Sequence, residues 1–291
     1  MHGNGLRTVG LIALLSALIM LTGIALGGGA GLAIALVVAI GVNGIAYFCC
    51  DRFALSAMRA RPVSEVQYPV LYRLVRELST AARQPVPRIY VSPAMQPNAF
   101  AAGRNPRHAA MCCTEGLLRM LSGDELRAVV GHELSHVYSK DILISSVAAG
   151  LATVITFLAS FAWFLPFGTS ASLGNSGDRD GGGVLEVLLL LLLGPVAALV
   201  IQLAVSRARE YQADASGARL TGDPLALARA LRKIEAGAAA MPLAPSGQLA
   251  SAGHLMIANP FRGEGFARLF STHPPTSERV RRLEALAGYR R

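Results

Sequence analysis

Four stretches of the chain are apolar almost without interruption: about Val9 to Leu26, Leu32 to Phe48, Ile142 to Phe167 and Val184 to Val205. A helix needs roughly 20 apolar residues to cross a bilayer. The pattern therefore predicts four transmembrane helices, the second slightly short and the third with length to spare for tilt. The triplet Gly27-Gly28-Gly29 predicts a tight hairpin between the first two. A cleaved signal peptide is the alternative for the first stretch, but its apolar run is long for one. Gly194-Pro195 predicts a kink in the fourth.

Other periodicities govern the remaining chain. Over residues 63–83, Val66, Val70, Leu71, Leu74, Val75 and Leu78 share one helical face, and Pro85 and Pro87 end the pattern. Three short strand-like pieces follow, Arg88–Val91, Asn98–Ala101 and Ala109–Cys113, separated by proline and Gly-Arg-Asn-Pro turns. They predict a small, mostly antiparallel sheet. A helix then starts at Ser122, with Glu125 placed for a capping box and Leu121 and Leu126 for a hydrophobic staple. It is expected to reach Asp141, where the third apolar stretch begins. The fold class is α+β, mainly α. A transmembrane hairpin over 1–50 precedes a polar region over 51–141, and a second hairpin over 142–205 precedes a polar region over 206–291.

Charge sets the orientation. Residues 51–140 hold 12 Lys plus Arg and residues 206–291 hold 13, whereas Arg179 is the only basic residue in the loop between the third and fourth stretches. Basic loops stay in the cytoplasm, so both polar regions and both termini are placed there, in a multi-pass protein of the cell (inner) membrane. The net charge of +9 could suggest nucleic acid, but no basic stripe interleaved with aromatics occurs, and no nucleic-acid partner is expected. Cys49–Cys50 and Cys112–Cys113 are adjacent pairs without metal or redox spacing and read as free thiols.

The chemistry begins at His132-Glu133-Leu134-Ser135-His136. Residues four apart share a helix face, so His132 and His136 can bind one zinc ion. Glu133 sits one position round, beside the metal, and can act as general base toward a water that zinc makes acidic. Chance would place this pattern about 0.005 times in a chain of this composition. A catalytic zinc wants a third protein ligand and an open position. Glu210 is the candidate, with Asp214 one turn on to accept a hydrogen bond from a ligand histidine. The alternative is a solvated helix end with Glu210 paired to Arg207.

Together these residues resemble the gluzincin arrangement and, with four spans, the HtpX membrane proteases, relatives of the CAAX prenyl proteases. Asn98-Ala99-Phe100-Ala101, Thr114-Glu115-Gly116-Leu117-Leu118 and Ser271-Thr272-His273-Pro274-Pro275-Thr276 with Arg279 also match. The resemblance implies a zincin-like cytoplasmic catalytic domain, one Zn2+ per chain and endopeptidase activity in membrane-protein quality control and stress response. Misfolded or damaged membrane proteins would be substrates and the bilayer a partner. It also implies that Asn98, Ala99, Phe100 and Ala101 form an edge strand aligning the substrate backbone; an ordinary strand is the alternative. It makes His273 a candidate donor to the developing oxyanion; a structural histidine before Pro274-Pro275 is the alternative. Two other functions compete with this one. Maturation of a lipidated peptide would want more spans, and a zinc-stabilised scaffold or transporter would lack Glu133 or an intact ligand set. His254 reads as a loop or core contact, within a Pro/Gly/Ser-rich stretch at about 241–265 that is expected to act as a lid over the cleft.

Overall fold

The computed structural model describes residues 3–139, 142–148, 207–243, 249, 252–261 and 274–288. Most of the third and all of the fourth apolar stretch lie outside these residues, as do Asp141, Gly194-Pro195 and His273.

Helix α1 (Gly3–Phe48) is not straight. At 1.5 Å per residue a straight helix would hold Ser16 and Asn43 about 40 Å apart, yet Asn43 Nδ2 donates to Ser16 Oγ at 2.8 Å. The run folds back within the Gly27-Gly28-Gly29 triplet, at Gly28, whose φ of +54° is strained for any residue with a side chain. The arms meet through small residues. A Cβ on Gly31 would fall 2.1 Å from the Gly23 carbonyl oxygen, and one on Gly23 would fall 2.4 Å from Ala35 Cβ. Such close approach lets helices associate in lipid, where no hydrophobic force draws them together. The second arm, Gly28–Phe48, is the one segment among the described residues long and apolar enough to span a membrane. Ile34, Val37 and Ile40 are all exposed on it, unlike the core helix of a soluble protein.

Helix α2 (Cys50–Ala57) leads from this arm to a four-stranded sheet. Strands β1 (Arg61–Pro62), β2 (Arg88–Ser92), β3 (Ala99–Gly103) and β4 (Ala109–Thr114) lie in the order β1-β2-β4-β3. β3 pairs antiparallel with β4, Ala99 opposite Cys113, while β2 pairs parallel with β4, Arg88 opposite Ala110. β1 pairs antiparallel with β2, so two of the three pairings are antiparallel as expected, and the parallel β2–β4 pairing makes the sheet mixed instead of wholly antiparallel. The segment between Ser92 and Asn98 carries the chain past the central position, and β4, buried at every residue, fills it alongside β2.

Helix α3 (Pro69–Ala81) buries Leu71, Val75 and Leu78. It is shorter than the sequence pattern suggests: Pro69 opens it, and Val66 and Val70 are exposed. Residues 64–68 form turns instead, with the Ser64 amide donating to Gln67 Oε1 at 2.9 Å. After α4 (Glu115–Met120), helix α5 (Gly123–Tyr138) starts at Ser122 with both capping-box bonds formed. Leu121 and Leu126 enter the core. The helices α6 (Arg207–Thr221), α7 (Pro224–Ala240) and α8 (Thr276–Leu286) follow among the described residues. Val129, Leu134, Leu227, Leu231, Ile234 and Leu283 share one core with α3 and the sheet.

Two glycines decide how closely α5 and α6 approach. A Cβ on Gly217 would lie 2.8 Å from the backbone nitrogen of His132, and one on Gly131 would lie 2.6 Å from Thr221 Cγ2. The two helices therefore touch backbone to backbone at the position of the first candidate ligand.

Candidate metal centre

One turn of α5 presents His132 and His136, whose Nε2 atoms stand 3.3 Å apart. The close α5–α6 contact brings Glu210 to them from α6. Its Oε1 lies 3.4 Å from His136 Nε2 and its Oε2 3.9 Å from His132 Nε2. These three side chains form the one possible metal-holding cluster among the described residues. Two nitrogens bound tetrahedrally at the usual zinc distance would be separated by about 3.3–3.4 Å, so the histidine pair fits the ion. Charge gives a second test. Glu133, Glu210, Asp214 and Arg279 are all buried, so three acidic side chains stand against one guanidinium in the interior. A divalent cation offsets that acidic excess, which would otherwise be costly to bury.

The support behind the ligands is continuous. His132 Nδ1 lies 3.0 Å from Asp214 Oδ1, at hydrogen-bond distance though off the ideal line. Asp214 in turn receives both arms of a fork from Arg279, Nε to Oδ2 at 2.8 Å and Nη2 to Oδ1 at 2.7 Å. Arg279 Nη1 also donates to the Ile257 carbonyl at 3.1 Å. Burial opposes ionisation of Asp214, but the charge and hydrogen bonds of Arg279 outweigh it and hold the carboxyl at about 2. Burial likewise disfavours the charged form of His132, yet Asp214 raises its pKa above the usual histidine value. Arg279 itself is fully buried and stays charged, Asp214 more than compensating its burial.

Glu133 lines the same small cavity, of about 30 Å³, as His132, His136 and Glu210. Its other walls include Ala101, Ser145 and His254. The cavity holds water but not a peptide, because two segments cover it. Residues 142–148 are helical, with Ile142, Ile144, Ser146, Val147 and Ala148 buried, and Ser146 Oγ accepts from the Gly103 amide at 2.9 Å. Residues 252–261 lie across β3: the Ile257 amide donates to the Ala99 carbonyl at 2.9 Å, and Asn98 Nδ2 donates to the Ala258 carbonyl at 2.9 Å. β3 is an edge strand in topology, but Asn98, Ala99, Phe100 and Ala101 are all buried. The chain's own 256–258 segment lies beside this edge at Asn98 and Ala99.

Two residues near the site carry more than the sequence suggested. His254 is indeed a buried loop contact, its Nε2 3.1 Å from the Ser145 carbonyl oxygen, but it is also part of the cavity wall. Arg279 matched a motif without a role attached. The signal was present: Val280 and Leu283 mark the buried face of α8, and a charged residue on an apolar face implies a buried partner. The cysteines are free, as read. Burial first, then the charge of Glu133, pushes the Cys113 thiol up to about 12, so it is inert.

Residues 66–287 match peptidase family M48. Among curated proteins, a "Protease HtpX homolog" of Kineococcus radiotolerans is 55% identical over 294 residues, covering 100% of this chain and 99% of the relative. Proteins of the same description from Paenarthrobacter aurescens and Thermococcus sibiricus are 53% and 46% identical, each covering 98% or more of this chain and 97% or more of the relative. Among solved structures, S. mikatae Ste24p is similar at a TM-score of 0.50 and 20% identity, over 94% of this chain. The chain spans 62% of the Ste24p chain, and the likeness is one of fold. With its sequence matched along nearly its whole length and two histidines and a glutamate converging on one point, the chain belongs to peptidase family M48, as an HtpX-type membrane metalloprotease.

Proposed function

We propose that this chain is a zinc-dependent endopeptidase working at the cytoplasmic face of the cell membrane, held by four spans and acting on misfolded or damaged membrane proteins in stress response. The observation that carries it is the convergence of His132, His136 and Glu210 beside a buried Glu133. In this reading hairpins at 1–50 and 142–205 alternate with cytoplasmic parts at 51–141 and 206–291.

His132, His136 and Glu210 would hold the ion. When bound, zinc supplies Lewis acidity and brings the pKa of water from 15.7 to about 7. Glu133 takes the proton from the attacking water and returns it to the leaving amine. Asp214 and Arg279 hold His132 in the orientation that presents Nε2 to the ion. Ala99 offers its carbonyl to an extended substrate strand, a sequence-tolerant mode of peptide capture. His273 stands as the candidate donor to the developing oxyanion.

The direct test is cleavage of casein and of a detergent-unfolded membrane protein by the purified full chain. Chelation is expected to stop cleavage and added zinc to restore it, and chelator-resistant cleavage would sink the reading. The covering segment makes a separate expectation. A non-cleavable peptide carrying a zinc-binding group should displace residues 252–261 from Ala99. Hydrogen exchange at the Ile257 amide should rise on binding, and unchanged exchange would rule out the lid.

A further inference from the structure

At the polar end of the Gly28–Phe48 arm, the start of α2 meets β2 and the β3–β4 connection around a cavity of about 330 Å³. Its volume falls at the lower end of the range of small-ligand sites, about 300–1,000 Å³. Four arginines line it, Arg52, Arg88, Arg104 and Arg107, together with His108 and a single carboxylate, Asp51. Arg88 Nη2 pairs with Asp51 Oδ2 at 2.5 Å, which leaves three guanidiniums without a countercharge in the cavity. Elsewhere Arg76, Arg127, Arg232 and Arg282 each meet a carboxylate at 2.5–2.8 Å. Like charges gathered in one pocket repel, and an anion relieves the repulsion.

The position of the cavity says which anion. Phe48 ends the membrane arm, is exposed, and forms part of the cavity wall. Arg104 stacks over its ring, 5.2 Å from the centroid. Along the arm the surface is apolar, and at its end it turns cationic. A lipid has the same order, acyl chains followed by a phosphate. Guanidinium groups match phosphate oxygens with two parallel hydrogen bonds, and basic pockets beside membrane helices suit anionic headgroups.

We propose that the pocket between Phe48, Arg52, Arg104 and Arg107 binds the phosphate headgroup of an anionic membrane lipid. The inference rests on the Gly28–Phe48 arm lying in the bilayer, and not on the catalytic reading. A bound headgroup would fix the height of β2, β3 and β4 above the membrane.

The full chain, purified in a non-ionic detergent, would be given phosphatidylglycerol, phosphatidylcholine or inorganic phosphate at equal concentration. Phosphatidylglycerol is expected to raise the unfolding midpoint by about 4 °C and to stay bound in native mass spectra; the other two should do neither. Arg52→Gln/Arg107→Gln should abolish both effects. Arg59→Gln/Arg61→Gln removes the same charge from exposed positions that do not line the cavity, and should leave both effects intact. Equal retention of phosphatidylcholine would overturn the proposal, as would an equal rise with inorganic phosphate. Equal loss in the Arg59/Arg61 variant would also overturn it, by showing diffuse surface attraction. The comparison of ligands on the unmodified chain decides even if a variant fails to fold.

Discussion

Glu133→Gln is expected to lower peptide cleavage by about 10²–10⁴-fold, the range for loss of a positioned general base, while zinc content stays at the wild-type level. The carboxylate lies between the two histidines on α5, is buried, and shares their cavity. It belongs to no metal-holding cluster, since that consists of His132, His136 and Glu210. Glutamine keeps the shape and packing but cannot accept a proton, so chemistry and binding separate. The measurement is kcat on a quenched peptide beside zinc per chain by elemental analysis. A variant with full zinc and wild-type kcat would remove Glu133 from the mechanism.

Asp214→Ala is expected to cost about 3–5 kcal/mol of folding stability, because it leaves the buried Arg279 charge without its main partner. It should also weaken zinc affinity about 10–100-fold by freeing His132 Nδ1. The two losses have different sources and can be parted. Adding Arg279→Met removes the stranded charge and should recover much of the stability, but not the metal affinity. Acid adds a further check. Against the effect of burial, Arg279 holds the Asp214 carboxyl at about 2, below the ordinary aspartate range. A depressed carboxylate stabilises the fold fully above its unfolded pKa and loses that contribution as pH falls toward the folded one. Metal-free wild type should therefore lose stability between about pH 4 and pH 2, and the variant should lose less across that window. Denaturant unfolding that put Asp214→Ala within about 1 kcal/mol of wild type would contradict the buried-pair argument.

The candidate ligand cluster was legible because helical spacing alone puts His132 beside His136, and a second pair four apart points to Glu210 and Asp214. Ser122 and Glu125 marked the start of α5 for an equally local reason, since a capping box is closed by neighbours in sequence. What escaped the sequence depends on distant partners. The parallel pairing of β2 with β4 is fixed by where β4 inserts, not by the letters of either strand. Val66 and Val70 share the period of the α3 core face, yet Pro69 starts the helix between them. Nothing near β3 in sequence predicts that Ile257 and Ala258 lie beside it. Arg279 was visible as a charge on the buried face of α8, but only the fold shows that it grips Asp214.

The contact between Gly131 and Gly217 has a bearing on motion. With backbone against backbone there is no layer of side chains between α5 and α6 to slide or repack, so the three candidate ligands travel as one body. Admission of a polypeptide would then fall to the coverings, residues 142–148 and 252–261, which meet β3 through a few hydrogen bonds and through the apolar packing of Ile142, Met256 and Phe261 against Phe100, Ala101 and Ala102. On the proposed reading, opening those coverings would leave the arrangement of His132, His136 and Glu210 undisturbed.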